Sequence, residues 1–326
     1  MEGSALTVSR SFGELEPHRR ELTAYCYRML GSPFEAEDAV QDTLLRAWRA
    51  LDRFEGRASL RSWLYRIATN VCLDMLGGRE RRARPMDLGP ARSPHGPIGE
   101  ILPEVTWIEP IPDGRMLAEG DPAAVAESRE SVRLAFVAAL QHLPPRQRAV
   151  LILCEVLQWK ASEVAELLDT SVAAVNSALQ RARVSLQAAD VADAGDGVLS
   201  EHDRELLARY VDAFERYDME ALTALIHEDA TQSMPPYELW LSGREDILRW
   251  WVGPGASCRG SRVLPAVRAN GAPAFGQYKP SEGGSGHDPW ALQVLEVAGG
   301  RIVELTFFLA ADTIFPLFGL PPRLQA

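Results

Sequence analysis

The chain has 326 residues, of which 46% are hydrophobic and 24% charged, and its formal net charge is −11. This length predicts two or three domains, and the hydrophobic content excludes a mainly disordered chain. The charge argues against strong binding of free DNA, because few phosphates would be neutralised. The acidity is uneven, however: residues 1–188 hold 23 basic and 25 acidic side chains, and residues 189–326 hold 11 and 20. The nearly neutral N-terminal part can still use local arginine faces to bind DNA.

Cysteine spacing gives no sign of a metal site. Cys26, Cys72, Cys154 and Cys258 lie far apart, with no C-x-x-C pair and no Cys/His cluster, so we expect free thiols in a reducing cytoplasm. No signal peptide is visible, and no apolar run approaches the roughly 20 residues of a membrane span. We therefore expect a cytoplasmic protein that uses neither metal nor cofactor.

Three amphipathic helices are predicted in the first eighty residues. The first covers residues 14–30 and ends at Gly31-Ser32-Pro33. The second runs from about Glu35 to Arg53, and the third from Ser59 to about Leu76, each with one apolar stripe at helical spacing. The apolar stripe of the third helix includes Trp63, which we assign to the core.

Residues 160–186 predict a helix-turn-helix. Its turn contains Asp169, Thr170 and Ser171, two of which can cap the second helix. The predicted buried stripe of that helix is Val172, Val175, Leu179, Ala182 and Leu186. The opposite face carries amides and hydroxyls that suit base edges, and arginines that suit phosphates, namely Asn176, Ser177, Gln180, Arg181 and Arg183. The alternative is an ordinary helical hairpin with a solvated polar face.

The segment between these helical regions, residues 85–125, is acidic and rich in proline, which makes a stable helix implausible. Within it, Leu102–Asp113 holds more apolar residues than a flexible spacer needs. We therefore expect an ordered docking segment here, with the C-terminal domain as its partner. Helices are predicted from near Asp121 to about His142 and from Arg146 to Gln158.

The C-terminal part begins after a linker rich in alanine, glycine and aspartate, residues 190–200. Arg204–Ile226 predicts one long amphipathic helix. Strand-like runs follow at Arg262–Arg268, Ala291–Val297 and Arg301–Ala310. The tail Phe307–Leu324 is unusually apolar, and we expect it to pack onto the preceding helical regions or the linker.

Two separated segments carry a specific family resemblance. The resemblance to region 2 of the extracytoplasmic-function (ECF) sigma factors of bacterial RNA polymerase is carried by DAVQDTLLRAW followed by SLRSWLYRIATNVCLD. The helix-turn-helix, with its lead-in LPPRQRAVLILCEVLQW, resembles region 4 of the same family. Leu102–Asp113 resembles the linker of the SigG-like and SigJ-like members. From about Asp203 to Asp312 the chain resembles the SnoaL-like domain, a cone-shaped fold that encloses a pocket.

The resemblance implies a multi-domain architecture. Two all-α domains, a region 2 helical bundle and a region 4 helix-turn-helix, are followed by an α+β cone-shaped SnoaL-like domain. The expected boundaries are 10–84 for region 2, 85–125 for the acidic linker, 126–188 for region 4, 189–202 for a second linker, and 203–326 for the SnoaL-like domain with its apolar tail. The implied protein is a sigma factor, monomeric when free, that directs core RNA polymerase to promoter DNA.

The resemblance also implies roles for individual residues. Core polymerase would be contacted by Asp38, Gln41, Asp42 and Arg46. The −10 element would be melted and a flipped base captured near Arg57, Arg61, Arg66 and Asn70. The −35 element would be read by Thr170, Ser171, Asn176, Ser177, Gln180, Arg181 and Arg183.

The SnoaL-like domain leaves more alternatives open. A pocket for a small-molecule ligand could be lined by Asp229, Tyr237, Trp240, Trp250, His287 and Trp290, although core packing is the favoured explanation for the aromatic residues. No recognisable acid–base pair is present, so we expect no enzyme activity and hypothesise that this domain regulates the sigma regions in cis. One rival hypothesis is a domain that transforms a small molecule. The other is a conventional regulator that binds duplex DNA without melting it, against which the region 2 resemblance argues.

Overall fold

The computed structural model describes residues 13–56, 58–116, 131–187 and 200–325. These residues belong to two compact units. Unit 1 comprises Met1–Arg82 with Gly114–Ala192, and unit 2 comprises Ala83–Asp113 with Asp193–Ala326.

Some sequence-based predictions fall outside the described residues. They are the −10 role of Arg57, the start of a helix near Asp121, and most of the second linker, 189–202.

Helices account for nearly all regular structure in unit 1, and unit 2 adds a sheet. The α-helices are, in chain order, α1 (Arg19–Leu30), α2 (Pro33–Ala50), α3 (Leu60–Leu76), α4 (Pro85–Leu88), α5 (Leu134–Gln141), α6 (Pro145–Leu151), α7 (Ala161–Leu167), α8 (Val172–Gln187), α9 (Glu201–Arg216), α10 (Met219–Leu225), α11 (Arg244–Val252) and α12 (Ala311–Leu317). The strands are β1 (Ile226–Ser233), β2 (Trp240–Ser242), β3 (Arg262–Pro265), β4 (Ala274–Pro280), β5 (His287–Ala298) and β6 (Arg301–Phe308). Short 3-10 turns lie at Glu16–His18, Leu51–Arg53, Glu104–Thr106, Asp113–Arg115 and Pro254–Cys258, and a π-helical segment lies at Ile152–Val156.

The bounds of the first three helices follow from their capping residues. Gly31 ends α1 with a φ of 75°, a left-handed conformation that glycine adopts without strain. The Ser32 side chain caps α2, and its hydroxyl accepts a hydrogen bond from the Glu35 amide at 3.4 Å. Ser59 caps α3 in the same way. The three predicted helices of this region are confirmed.

Aromatic side chains fill the centre of this bundle. Tyr25 of α1 and Tyr65 of α3 meet edge to face, with ring centroids 5.2 Å apart. The Tyr25 hydroxyl and the Thr69 hydroxyl share a hydrogen bond of 2.7 Å. Because Tyr25 is buried, its pKa is raised well above the ordinary value, and the hydroxyl stays neutral.

Buried arginines join the two helical halves of unit 1. Arg148 of α6 donates hydrogen bonds to the Met29 carbonyl and, at 2.5 Å, to the Gln141 side-chain oxygen. Arg28 of α1 donates to the Ser131 carbonyl at 3.1 Å and to its hydroxyl at 2.7 Å. Burial lowers the pKa of both arginines to about 10. Each hydrogen bond therefore offsets part of the cost of burying a cation.

Unit 2 is built on one six-stranded sheet in the order β2-β1-β6-β5-β4-β3. The β1–β6 pair is parallel and the other neighbours are antiparallel. The three predicted strand-like runs correspond to β3, β5 and β6. Strand β4 was not predicted because most of its residues are buried on both faces, so the alternation that marks a half-exposed strand is absent.

The predicted single helix over Arg204–Ile226 is wrong. Tyr217 adopts a left-handed φ of 57° and ends α9. Asp218 then caps α10, and its carboxylate accepts a hydrogen bond from the Ala221 amide at 3.0 Å. The apolar positions continue at helical spacing across this break, which is why the periodicity alone predicted one helix.

We predict from the sequence that the apolar tail packs onto the helical regions or the linker, but in the structure it packs onto the sheet of its own domain. Phe315 of α12 meets Tyr278 of β4, with centroids 5.1 Å apart. The Tyr278 hydroxyl donates to the Pro321 carbonyl at 2.8 Å. Leu320 lies over Gly276, where a Cβ atom would come within 2.7 Å of the leucine. The glycine is therefore needed for the close approach of the tail.

Candidate nucleic-acid interface

Helix α8 presents a polar face to solvent. Val175 and Ala182 are its buried residues, and the Ser171 hydroxyl caps it by accepting a hydrogen bond from the Ala174 amide at 3.1 Å. All seven residues that we predict for the −35 element are exposed, namely Thr170, Ser171, Asn176, Ser177, Gln180, Arg181 and Arg183. Arg183 forms an ion pair with Glu155, 2.5 Å apart, and both side chains are largely exposed. An exposed pair of this kind contributes little, so Arg183 can exchange Glu155 for a phosphate.

Val172 is exposed, although its spacing predicts a buried side chain. The sequence pattern placed it in the buried stripe, but its side chain is 44% exposed. Val172 is the first residue of α8, and the buried contacts of the helix begin only at Val175. An exposed valine at this end of a reading helix can contact the methyl group of thymine.

The outer face of α2 carries the residues predicted to bind core polymerase. Asp38, Gln41 and Arg46 are exposed and Asp42 is half-buried. Asp42 and Arg46 form an ion pair at 2.8 Å. Leu45 lies on the same helix with 41% of its surface exposed. Sequence reasoning missed this leucine, although its position between Gln41 and Arg46 on the outer face could have revealed it.

Helix α3 separates the residues predicted for the −10 element. Arg66 and Asn70 are both exposed and lie one helical turn apart, so they share one face. Arg61 is held inside unit 1: it donates to Glu21 at 2.7 Å and its guanidinium lies over the Trp159 ring. The structure therefore brings Arg66 and Asn70 together and engages Arg61 elsewhere. Trp63, assigned to the core, is half-buried and packs on Phe54 with centroids 4.9 Å apart.

Three of the six candidate pocket residues belong to the hydrophobic core of unit 2. Trp250 is a buried member of that core, and Tyr237 and Trp290 are partly buried against it. The rings therefore contribute to the packing of the domain.

The other three candidates lie in different surroundings. Asp229 is exposed. The Trp240 indole N–H donates to the Gly89 carbonyl at 2.8 Å. The His287 ring nitrogen Nε2 lies 3.1 Å from the Gly260 carbonyl.

A buried polar chain lies inside the domain, and sequence reasoning missed it. The Tyr210 hydroxyl donates to Gln293 at 2.9 Å, Gln293 donates to Gln277 at 3.0 Å, and Gln277 donates to the Ser261 hydroxyl at 3.0 Å. All four residues are buried. Isolated glutamines on strands give no periodic signal. These groups satisfy one another, as buried polar groups must.

We define the connector as Ala83–Asp113, the part of the chain between the two sigma-like regions that belongs to unit 2. Its early part contacts β2 and the turn before it: the Arg92 amide donates to the Trp240 carbonyl of β2 at 2.9 Å, and the Leu102 amide donates to the Pro236 carbonyl of the turn at 3.0 Å. It contains the short helix α4 and a 3-10 turn, although its prolines argued against helix.

The late part of the connector is more deeply buried. The Ile111 amide donates to the Asn270 side-chain oxygen at 3.0 Å, and the Asn270 amide donates back to the Ile111 carbonyl at 3.1 Å. The Gly271 amide donates to the Asp113 carboxylate at 2.7 Å. Ile111 and Asn270 are fully buried. An ordered docking segment at Leu102–Asp113 is thus confirmed.

The ranges that the structure describes contain neither a candidate metal site nor a candidate membrane span. No three His, Cys, Asp or Glu side chains there are grouped so that they could hold a metal ion. No helix in those ranges is both long and apolar enough to cross a membrane.

Family comparisons match three parts of the chain. Residues 15–82 match Sigma-70 region 2, residues 133–186 match Sigma-70 region 4, and residues 207–305 match the SnoaL-like domain. These matches include α1 to α3, the helix-turn-helix, and most of the sheet of unit 2.

Two relatives from Mycobacterium tuberculosis share much of this architecture. The chain is 50% identical over 317 residues to the ECF RNA polymerase sigma factor SigG, covering 95% of this chain and 83% of SigG. It is 31% identical over 218 residues to the ECF RNA polymerase sigma factor SigJ, covering 67% of this chain and 62% of SigJ. The crystal structure of SigJ shares the fold, with a TM-score of 0.62 at 22% identity over 95% of this chain and 99% of that structure. The chain therefore belongs to the ECF RNA polymerase sigma factors, and it carries a SnoaL-like domain at its C-terminal side.

Proposed function

We propose that this sigma factor recruits core RNA polymerase through α2, reads the −35 element with α8 and opens the −10 element beside α3. It would act in the cytoplasm, where bacterial polymerase transcribes. The observation that carries the proposal is the exposed polar surface formed by α8 and the turn before it. All seven candidate residues there are exposed, whereas Val175 and Ala182 on the other side of α8 are buried. Amide side chains at Asn176 and Gln180 suit base edges.

The −10 contact would use Arg66 and Asn70 first. Both are exposed on one face of α3, so a guanidinium and an amide lie next to each other on the surface. A base flipped out of the duplex needs an amide for its edge and a cation for the neighbouring phosphate. Arg61 would join them only after it leaves Glu21 and Trp159.

We further propose that the SnoaL-like domain restrains the sigma regions in cis by holding the connector. The connector links region 2 to region 4 along the chain. Its hydrogen bonds to Asn270 and to the β2 side of the domain hold it in one conformation. In a complex of the sigma factor with polymerase, the connector would have to bind along the polymerase surface instead of along the SnoaL-like domain. Release of the connector would then be part of activation.

We propose that the domain performs no chemistry of its own. The proposal is supported by the interior groups Tyr210, Gln293 and Gln277, which are hydrogen-bonded to one another and are therefore not directed at a substrate. Binding of a small-molecule ligand is the second candidate role for this domain.

The test is run-off transcription with core polymerase on a promoter library. Three proteins are compared: the full chain, a chain ending at Ala189, and the full chain with Asn270→Ala. The substitution removes the acceptor of the buried Ile111 amide, so it weakens the connector contact. Val267→Ala is the matched control, because Val267 is exposed in the same loop.

The proposal predicts promoter-specific transcript from the full chain, more transcript from the shortened chain, and an intermediate level with Asn270→Ala. Equal transcript from all four proteins would refute restraint in cis while leaving the sigma assignment intact. An unchanged transcript after Asn270→Ala, with a large gain on shortening, would place the restraint outside the connector.

A further inference from the structure

The early part of the connector is attached to the SnoaL-like domain at two points, and we call the segment between them, residues 92–102, the arch. At its first end the Arg92 amide donates to the Trp240 carbonyl at 2.9 Å, and at its second end the Leu102 amide donates to the Pro236 carbonyl at 3.0 Å. The Arg92 guanidinium also pairs with the Glu238 carboxylate at 2.6 Å. A cavity of about 530 Å³ lies between the arch and the turn before β2.

The walls of this cavity are mostly apolar. The arch contributes Pro97, Ile98 and Leu102, and the turn before β2 contributes Leu239. Leu239 is a buried member of the core of the domain, and Ile98 packs against that core. Cavities of roughly 300–1,000 Å³ with apolar walls and a few polar groups are typical sites for small organic molecules. The cavity therefore has the size and the walls to hold a ligand with an apolar body.

Charge indicates which ligand the cavity would take. Its ionisable lining residues are Arg92, Glu100 and Glu238. Arg92 and Glu238 neutralise each other in their ion pair. Glu100 is exposed, and within the described parts of the chain its carboxylate forms no ion pair. The lining thus carries one carboxylate in excess, and the group that complements it is a cation such as an ammonium.

The charge of the surrounding domain acts in the same direction. Residues 189–326 hold 11 basic and 20 acidic side chains. A negative potential of this kind raises the local concentration of cations and disfavours anions. A single exposed carboxylate contributes little by itself. Selectivity would therefore require both the apolar walls and the negative charge.

We propose that this cavity binds a small amphipathic amine, whose apolar body lies against Ile98 and Leu239 and whose ammonium group pairs with Glu100. A molecule in this position contacts the arch and the domain at the same time. Its binding free energy therefore adds to that of the hydrogen bonds that hold the connector on the domain. The effect of the amine on transcription rests on the proposed restraint in cis, whereas the binding site itself does not.

The first experiment titrates the full chain, labelled at its isoleucine and leucine methyl groups, with 4-phenylbutylamine and follows the methyl NMR signals. The signals of Ile98, Leu102 and Leu239 should shift and saturate, while that of Ile314 in the tail stays in place. 4-Phenylbutanol has the same body without the charge and should bind about two- to fivefold more weakly, as expected for one exposed ion pair. The anion 4-phenylbutyrate should bind more weakly than the alcohol. n-Butylamine, which lacks the ring, should leave the signals nearly unchanged at the same concentration.

Two variants test the two halves of the site. Glu100→Gln should make the amine and the alcohol bind equally, and Glu282→Gln is the matched control, because Glu282 is an exposed carboxylate outside the cavity lining. Ile98→Ala should weaken all the probes that carry a ring. The methyl spectrum of each variant without a probe reports whether the variant is folded. Shifts confined to core residues such as Leu222 and Ile302, or equal affinities for the amine and the carboxylate in the unaltered chain, would overturn the proposal.

The second experiment asks whether the amine holds the connector. At ten times its Kd, 4-phenylbutylamine should slow hydrogen exchange of the Leu102 amide by up to about tenfold. Unchanged exchange at saturating amine would refute a role in holding the connector. Run-off transcription with the amine should then give less transcript. A protected amide with unchanged transcript would support the binding site and count against restraint in cis, so the two proposals fail separately.

Discussion

The guanidinium of Arg61 lies over the indole ring of Trp159, with 5.3 Å from the arginine Cζ to the ring centroid. Arg61 belongs to α3 of region 2, and Trp159 precedes α7 of region 4. The same guanidinium donates to Glu21 at 2.7 Å. A residue proposed for the −10 element is therefore engaged by a side chain of the other sigma region. Promoter phosphates and Trp159 would compete for one cation.

Trp159→Ala should raise the rate of open-complex formation at a −10 element. Loss of the cation–π contact, which contributes about 0.5–2 kcal/mol, removes one of the contacts that hold Arg61 and corresponds to a gain of about two- to thirtyfold. Trp159→Phe keeps an aromatic face and should stay close to the unaltered protein. The measurement is transcript yield against time with core polymerase. If Trp159→Ala loses activity as Arg61→Ala does, the contact supports DNA binding rather than competing with it.

Val172→Ala should weaken recognition of the −35 element. The substitution removes the two γ-methyl groups of Val172 at the exposed start of α8. Loss of their burial against a thymine methyl group costs about 1–2 kcal/mol. Val184→Ala is the matched control, because Val184 lies in the C-terminal half of the same helix and is 57% exposed. The two variants are compared by run-off transcription on promoters that differ only in the −35 thymines. Equal losses for both would assign Val172 no reading role.

Arg148→Met should destabilise unit 1. The buried carbonyl of Met29 and the Gln141 side-chain oxygen would each lose a donor, at about 1–3 kcal/mol for each group left unsatisfied. Arg146→Met is the control, since Arg146 lies on the same helix but is exposed. Urea unfolding, followed by the helical signal, measures the difference. Similar urea midpoints for the two variants would show that the Arg148 hydrogen bonds do not stabilise unit 1.

Tyr278 should make unit 2 less stable at alkaline pH. Burial raises the pKa of Tyr278 from 10.0 to about 12, so above pH 10 the folded protein keeps a proton that the unfolded chain loses. The folded state then binds more protons, and the free energy of unfolding falls as pH rises through this window. Tyr278→Phe removes that ionisation together with the hydrogen bond to Pro321. It should lower stability near neutral pH by about 1 kcal/mol yet flatten the alkaline decline. Unfolding curves with the same alkaline slope in both proteins would contradict this assignment.

The sequence predicted the helical regions well because their signals are local. Ser32 and Ser59 cap helices that the apolar stripes already marked, and Ser171 caps α8 as the turn composition indicated. The family motifs are continuous stretches in a specific order, so they predicted the sigma regions and the SnoaL-like domain after them.

The features that sequence reasoning missed depend on tertiary contacts. The left-handed Tyr217 interrupts a continuous apolar pattern. Val172 has the spacing of a core residue, yet it lies beyond the part of α8 that packs. The tail packs over Gly276 of β4, a strand that is buried on both faces.

We propose that this chain opens promoter DNA together with core polymerase, with α8 on the −35 element and α3 beside the −10 element. The most direct measurement is the reactivity of −10 thymines to permanganate, which modifies unpaired bases, in the presence of the chain, core polymerase or both. We predict reactivity only with both proteins, and a strong reduction with Asn70→Ala or with an altered −35 element. Protection of duplex DNA by the chain alone, with no reactive thymines when polymerase is added, would contradict the account and indicate a regulator that binds DNA without melting it.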